Sequence, residues 1–389
     1  MQLAFRSLKE NEPGEAWKTV FNHGAPGWRQ WFLERIGEAT PDLTLCERAL
    51  KRHVPEYHPI WEKQLELING DPLTARFLSF WTPPRYLVNC SQAVLNDANS
   101  GPLLIRNYDL DPRLNEATLY STNWTGNRRV MGMVEGMSGL SDGMNDAGLA
   151  ISLTFGGRAA AGKGFGIPLI MRYVLEMARD TQDALEILRN IPSHMSYNLT
   201  LVDKAGTLAT VFMSPDRPVI IDRKPFTTNH QLGNEWPAHA RMSQTLERAD
   251  ILKHFLGLPQ NEDSLKQRFL SEPVFRRGYD KGFGTVFTAL YRPMTGNMEL
   301  LWPGHQPLTQ SFEHFTARSQ LVKYSNTSIV GEHYGEQHAA AVAAAPQVAP
   351  ANDENLSEEN LWGAESYLTP EVVQLIKRSW RGFATSWHN

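Results

Sequence analysis

The chain has little cysteine: Cys46 and Cys90 are the only two in 389 residues. Two thiols exclude a disulfide scaffold and a cysteine-rich zinc site, so each is either a small buried hydrophobe or a reactive thiol. No run approaches the roughly 18 apolar residues of a membrane span. There is no excess of positive charge: 38 Lys and Arg stand against 42 Asp and Glu, a formal net charge of −4, which removes the usual electrostatic footprint for nucleic acid or an anionic membrane. The N-terminus, MQLAFRSLKENEPGEAW, lacks the apolar core and cleavage site of a secretory signal. These absences predict a cytoplasmic protein with no nucleic-acid or membrane partner. His230, His239 and His305 are scattered and no HExxH pair exists, so no metal site is expected. The stretch GRAAAGKG has Gly164 where a phosphate loop needs Ser or Thr, so no nucleotide cofactor is expected either.

Hydrophobic residues at 41% and charged residues at 21% match a globular chain. The first 89 residues read as helical. Thr40-Pro41 offers a helix start, and Leu43, Cys46, Leu50 and Val54 recur at helical spacing, which puts Cys46 on the apolar stripe. A second helix should begin near Pro59 and stop at Asn69-Gly70. From residue 90 strands dominate: CSQAVL (90–95), LLIRNYD (103–109), GLAISLTF (148–155), YNLTLVD (197–203), TLATVFMS (207–214), PVIID (218–222), and a late hairpin of TVFTALYRP (285–293) and MELLWP (298–303). Helices are expected at 168–190 and 239–256. Strands in hairpins with helices in blocks indicate α+β with antiparallel sheet. Residues 326–355 contain an Ala/Pro-biased linker, and 356–389 a tail whose helix starts at Thr369-Pro370 with Val372, Val373, Ile376 and Trp380 on one face.

Cys90 opens a hairpin around NDANSGP. A loop centred near Ala98–Asn99 sets Cys90 opposite Asn107, with Arg106 and Asp109 one or two residues away. A thiol beside a guanidinium is shifted toward thiolate. Asp142 and Asn145 read as turn builders ahead of their strand.

Cys90-Ser91-Gln92, followed sixteen residues later by Arg106 and nineteen later by Asp109 within RNYDLDP, resembles the start of a mature N-terminal-nucleophile (Ntn) hydrolase. LSDGMNDAGLAISLTFGG, YNLTLVDKAG, TTNHQ and FGTVFTALYRP follow in the order found in the choloylglycine hydrolase and penicillin V acylase superfamily, and most resemble its acyl-CoA:6-aminopenicillanate (isopenicillin N) acyltransferase-like branch. The resemblance runs from about residue 55 to about 320.

The resemblance implies a four-layer αββα Ntn domain over residues 90–325. A helical N-terminal segment, 1–89, would be retained as a small subunit after autocatalytic cleavage at Asn89–Cys90. It implies that Cys90 is the nucleophile and that its freed α-amine moves the proton. Asp109 would hold that amine, and Arg106 would set the local field and anchor Asp109. Asn229 would serve as oxyanion donor, with backbone N–H of Thr154 and Phe155 as the second donor; bile-salt-type members carry Asn-Tyr there. Arg248 would be the late arginine, with Arg241 as its competitor, and Asn198 either lies near the site or is a plain strand residue. The expected substrate is a small N-acyl amide or acyl thioester, with no cofactor, and the sequence is compatible with a homo-oligomer. Resolution of the acyl-enzyme by an amine, as in an acyl-CoA-dependent transferase, and a non-catalytic binding protein are the alternatives.

Overall fold

Alternation of buried and exposed positions in the first ten residues makes a strand, β1 (Gln2–Glu10), with Phe5 and Ser7 turned inward. In the computed structural model, which describes residues 1–37 and 40–326, helices α1 (Glu15–Arg35), α2 (Leu43–His53), α3 (His58–Ile68) and α4 (Pro72–Leu78) follow. The cap of α2 is Asp42, whose carboxylate accepts the Leu45 N–H at 2.8 Å, rather than the expected Thr40-Pro41. α3 ends at Asn69, which takes the left-handed conformation that a C-cap requires. Cys46 is buried on α2.

The remaining elements, in chain order, are β2 (Asn89–Asp97), β3 (Gly101–Leu110), β4 (Thr118–Thr122), β5 (Val130–Glu135), β6 (Gly139–Asn145), β7 (Leu149–Phe155), α5 (Ile167–Met177) and α6 (Thr181–Asn190). They continue with β8 (Tyr197–Asp203), β9 (Leu208–Met213), β10 (Ile220–Asp222), β11 (Phe226–Thr227), α7 (Pro237–Ser243), α8 (Thr245–Leu256) and α9 (Glu262–Phe269). Last come β12 (Arg277–Gly278), β13 (Phe283–Arg292), β14 (Asn297–Leu301), β15 (Leu308–Ser311) and β16 (Arg318–Lys323). The single helix expected at 239–256 is two, because Gln244 between α7 and α8 adopts a positive φ.

The strands form two sheets. One runs β10-β9-β8-β7-β6-β5-β4-β1-β16, the other β11-β2-β3-β13-β14-β15 with β12 on β13. β2 and β3 pack face to face on β7 and β8; α5 and α6 cover the outside of the first sheet, α8 and α9 the outside of the second. The layering is therefore αββα. Leu252, Leu265 and Phe269 close over Ala93, Leu103 and Ile105 as a small core of their own, while the large core fills the space between the sheets and under α5. Beyond Asn326 the expected linker (326–355) and the tail with its helix (356–389) lie outside the described residues. Among the described residues no helix is long and apolar enough to cross a membrane.

The helical reading of the N-terminal segment did not contain β1. Only a few positions alternate, and one of the inward ones is a serine, so the pattern is too short to separate from an amphipathic helix. In the fold β1 is an interior strand, parallel to β4 on one side and antiparallel to β16 on the other. Phe5 reaches across the gap between the sheets, its ring 4.6 Å from that of Trp302 and 6.2 Å from that of Phe287. α1 is keyed into the same body by two indoles: Trp17 Nε1 donates to Ser138 Oγ at 3.1 Å and Trp28 Nε1 to Glu116 Oε1 at 3.0 Å. Truncation of a fully buried Phe leaves a cavity, so Phe5→Ala is expected to cost about 3–5 kcal/mol in urea unfolding of the whole protein. A loss below about 1 kcal/mol would mean that β1 is not part of the cooperative core.

Candidate active site

The β2–β3 hairpin closes through a three-residue loop, Ala98–Ser100. Asp97 Oδ1 accepts the N–H groups of Asn99 and Ser100 at 2.8 and 2.7 Å, and Gly101 takes the positive φ that ends such a turn. An odd loop sets the register to Cys90↔Tyr108 and Asn89↔Asp109, one residue away from the expected Cys90–Asn107 pair. The difference decides which side chains meet. Opposed residues share a face, so Cys90, Gln92, Arg106 and Tyr108 face the other sheet, while Asn89, Ser91, Asn107 and Asp109 face α8 and α9.

On the inter-sheet face the Arg106 guanidinium is fully buried. Nη2 lies 2.9 Å from Cys90 Sγ and donates to Leu153 O at 3.0 Å; Nη1 donates to Asp142 Oδ2 at 2.6 Å. Asp142 also accepts from Ser141 Oγ at 3.1 Å and from the Tyr291 hydroxyl. The guanidinium lies 4.6 Å from the centre of the Tyr108 ring, which stacks on Phe287. The carboxylate that anchors Arg106 is thus Asp142, within β6 and not in a turn, and the expected anchoring of Asp109 by Arg106 does not occur. Sequence reasoning missed Asp142 because it read that residue as a turn builder and because the resemblance assigned Asp109 to Arg106, although residues three apart on one strand face opposite ways. Asn145, by contrast, does build its turn, its Oδ1 accepting from the N–H groups of Ala147 and Leu149.

On the helix face Asp109 Oδ1 accepts from Thr285 Oγ1 at 2.7 Å. Oδ2 has no hydrogen-bond partner, and Arg248 Nη1 lies 3.7 Å from it. Burial raises the Asp109 carboxyl above its ordinary pKa, against Arg248 and Arg276. Arg276, which the sequence did not suggest, donates to Ser243 O at 2.8 Å; it follows Phe275 in a segment with no periodic pattern to mark it. Arg241, the competitor for the late arginine, is exposed, whereas Arg248 is fully buried beside Cys90.

The Cys90 backbone is held on both sides. Its N–H donates to Asn229 Oδ1 at 3.1 Å, and its carbonyl accepts from Arg248 Nη1 at 2.6 Å. Arg248 also donates to Ser91 Oγ at 2.7 Å and to Asn229 Oδ1 at 2.8 Å, tying the two grips together. Asn229 Nδ2 reaches Phe155 O at 3.2 Å and Val88 O at 3.4 Å. Asn198, opposite Thr154 in the β7–β8 ladder, donates to the carbonyls of Thr228 and His230 and so positions the loop that carries Asn229. Thr154 Oγ1 donates to Thr228 O at 2.9 Å. This close approach requires Gly157, where a Cβ would come within 2.2 Å of the Asn229 carbonyl oxygen and where φ is positive.

Cys90 itself is fully buried in the intact chain. Burial pushes its thiol up to about 12, more than the adjacent Arg106 can offset, so at neutral pH the sulfur keeps its proton. Burial likewise lowers Arg248 to about 10, the Asp109 carboxylate pulling the other way. The assembly is a thiol, a peptide bond gripped from both sides, an amide side chain with two donors, and buried arginines, which is a donor and nucleophile set for acyl chemistry. Among the described residues no three His, Cys, Asp or Glu side chains converge as metal ligands.

The family model for acyl-coenzyme A:6-aminopenicillanic acid acyl-transferase matches residues 96–307. No curated protein matches the sequence. Among solved structures, a mutant conjugated bile acid hydrolase from Clostridium perfringens is similar at 12% identity, over 62% of this chain and 98% of that one, with a TM-score of 0.43. Penicillin V acylase from Agrobacterium tumefaciens is similar at 12% identity over 58% and 86%, with a TM-score of 0.41. The Caenorhabditis elegans N-acylethanolamine-hydrolyzing acid amidase ortholog is similar at 14% identity over 60% and 100%, with a TM-score of 0.39.

Arg248 satisfies three acceptors at the centre of the site, and Arg248→Met would leave them unmatched in the interior. The variant is expected to lose about 3–5 kcal/mol in urea denaturation. A loss under about 1 kcal/mol would show that water or Arg276 replaces it.

Proposed function

The chain belongs to the acyl-coenzyme A:6-aminopenicillanic acid acyl-transferase family, enzymes of acyl transfer at linear amide C–N bonds, and from that membership we propose that it is a self-activating cysteine amidohydrolase or acyltransferase. The observation that carries the reading is the double grip on Cys90: Asn229 and Arg248 hold the N–H and the C=O of the residue whose sulfur touches Arg106.

In the intact chain Sγ attacks the Asn89 carbonyl carbon. The C–S bond forms as the Asn89–Cys90 C–N bond breaks, and the thiol proton ends on the freed amine. Water then hydrolyses the thioester, leaving a carboxylate on Asn89 and a free thiol on Cys90. The new amine titrates near roughly 7.7–8.0, so it can take the thiol proton at neutral pH, as the amide nitrogen could not. Asp109 Oδ2, unpartnered in the intact chain, is the acceptor available to that amine.

In each turnover Sγ attacks the substrate carbonyl while the amine accepts the thiol proton. The tetrahedral oxyanion is held by Asn229 Nδ2, with backbone N–H near Thr154 and Phe155 as a second donor. Collapse breaks the substrate C–N bond, and the Cys90 ammonium protonates the leaving amine. The thioester then passes its acyl group to water or to an amine. The N-terminal fragment stays bound, since β1 is paired on both edges and α1 is fixed by Trp17 and Trp28.

Intact mass of the purified protein should resolve into a fragment ending at Asn89 and one beginning at Cys90, with both eluting together under native conditions. Cys90→Ala should abolish cleavage and turnover. Asn229→Ala should lower kcat by about 10²–10³-fold on any processed material. A single uncleaved species after long incubation, or normal processing of Cys90→Ala, would overturn the reading. Product partition with and without added amine separates transfer from hydrolysis.

A further inference from the structure

Just ahead of the nucleophile the chain passes over a cavity of about 40 Å³. Its walls include Trp28 from α1, Tyr86 and Val88 from the approach to β2, Tyr108 from β3, and two carboxylic acids, Glu116 and Glu135. Tyr108 is directly opposite Cys90, and Val88 lies two residues before it. At about 3.3 Å per residue of extended chain, Val88 lies about 7 Å along the backbone from Cys90. The cavity therefore adjoins the reacting carbonyl, and its volume suits one small polar group at the end of a substrate rather than a whole one.

The lining is unbalanced in charge, since no basic residue contributes to it. Arg106, whose field reaches Glu135, is paired with Asp142, and Asp111 at the wall already holds Arg113. Glu116 uses Oε1 for two donors, Trp28 Nε1 at 3.0 Å and the Met137 N–H at 2.8 Å. Glu135 is 4% exposed; no donor reaches its Oε2 with hydrogen-bond geometry, and the neighbouring hydroxyls of Tyr108 and Tyr86 only partly offset its burial. Burial raises Glu116 to about 8 and Glu135 to about 7, in the latter case against Arg106. The field of Arg106 falls on Glu135 from outside the cavity, and no cation meets its Oε2 from within. An apolar ligand would leave the Glu135 Oε2 without a donor. A cation would ionise both acids, among the aromatic side chains of Trp28, Tyr86 and Tyr108 that line the cavity.

Resting on the amide-transfer reading, we propose that the substrate carries a cationic end, an ammonium or guanidinium, which seats between Glu116 and Glu135 inside the aromatic wall. The preferred substrates are then N-acyl diamines or amides of ω-amino acids. An amine that itself bears a carboxylate, as 6-aminopenicillanic acid does, is a poor fit. Because Trp28 belongs to the N-terminal segment, the retained fragment supplies part of the recognition.

The test uses processed protein and four amides of matched length: N-hexanoyl-1,4-diaminobutane, its neutral counterpart N-hexanoyl-pentylamine, the anionic N-hexanoyl-5-aminopentanoate, and 6-aminohexanoyl-butylamide with the cation on the acyl side. One cationic amide should exceed the neutral one at least tenfold in kcat/KM, with the anionic one lowest; which cation wins tells which side of the amide occupies the cavity. Glu135→Gln should cut that preference to under threefold, and Glu116→Gln serves if the first variant does not fold. A neutral amide turned over as well as either cation, or a preference untouched in the variants, overturns the proposal. A second reading needs no turnover: in Cys90→Ala protein, n-butylammonium chloride should raise Tm saturably where sodium butyrate and butanol do not, and Glu135→Gln should remove the shift. Turnover without preference or shift sinks the cation site alone. A shift without turnover of any amide sinks the amide-transfer reading and leaves the cation site standing.

Discussion

A guanidinium with no access to water has to be neutralised where it lies, and the centre of this protein is arranged around that requirement. Arg106 projects from the second sheet into the gap, and the answering charge, Asp142, comes from the first. Removing either would strand a buried ion, a cost of several kcal/mol in a structure whose whole margin is of similar size. The pair does more than join layers. It fixes the guanidinium so that one nitrogen is spent on Asp142 and the other lies against Cys90 Sγ and Leu153 O. Tyr291 and Ser141 complete the carboxylate, and Tyr108 over Phe287 floors the cation, so the thiol meets a positive charge with almost no freedom to move away.

Two faces of one strand then perform different tasks. Side chains of even-numbered residues near Cys90 point at the sheet gap and set the field of the sulfur. Odd-numbered ones point at α8 and α9 and set the field of the backbone. Arg248 connects the second task to the loop at 227–231, since it binds Cys90 O, Ser91 Oγ and Asn229 Oδ1 at once. The glycine pair at the end of β7 allows that loop to lie against the strand, because side-chain carbon at Gly157 would overlap the Asn229 backbone. Gln92 locks the arrangement across the gap by donating to Thr200 and Thr227 and accepting from Ser152.

Much of this layering is legible in the sequence, since the strand runs, the two helical blocks and the order of motifs all carry periodicity or turn chemistry. The register of the hairpin was not, and the reason is local. A loop of two residues and one of three differ by a single Asx-type turn at Asp97, and that step puts Arg106 rather than Asp109 on the face of Cys90. Asp142 was hidden for a reason of its own: SDG between apolar residues reads as a turn unless a buried cation elsewhere demands a partner. β1 was hidden because its pairing partners, β4 and β16, are more than a hundred and more than three hundred residues away. No local pattern reports such partners. Arg248 could be separated from Arg241 only by the fold, because the positive φ at Gln244 restarts the helix and turns Arg248 inward.

In the intact chain Cys90 keeps its proton and its nitrogen is engaged, for reasons that its own contacts supply. A thiol held near pKa 12 offers little thiolate at neutral pH, and the nitrogen beside it is an amide occupied by Asn229. In the proposed mechanism, opening the Asn89–Cys90 bond changes the second condition and so supplies the thiol with a base. The amide becomes an amine, Val88 no longer has to sit beneath Asn229 Nδ2, and Asp109 Oδ2 gains the partner it lacks. None of these changes requires the sheets to move, because Arg106 and Asp142 hold each other and Arg248 is also anchored away from the break, its Nε donating to Ser243 O at 3.0 Å. The same fixity bears on substrate choice. A frame that cannot yield around the sulfur must discriminate beside it, and the cavity under Tyr86 and Val88, with its unpaired Glu135 oxygen, is the space next to the sulfur where it can do so.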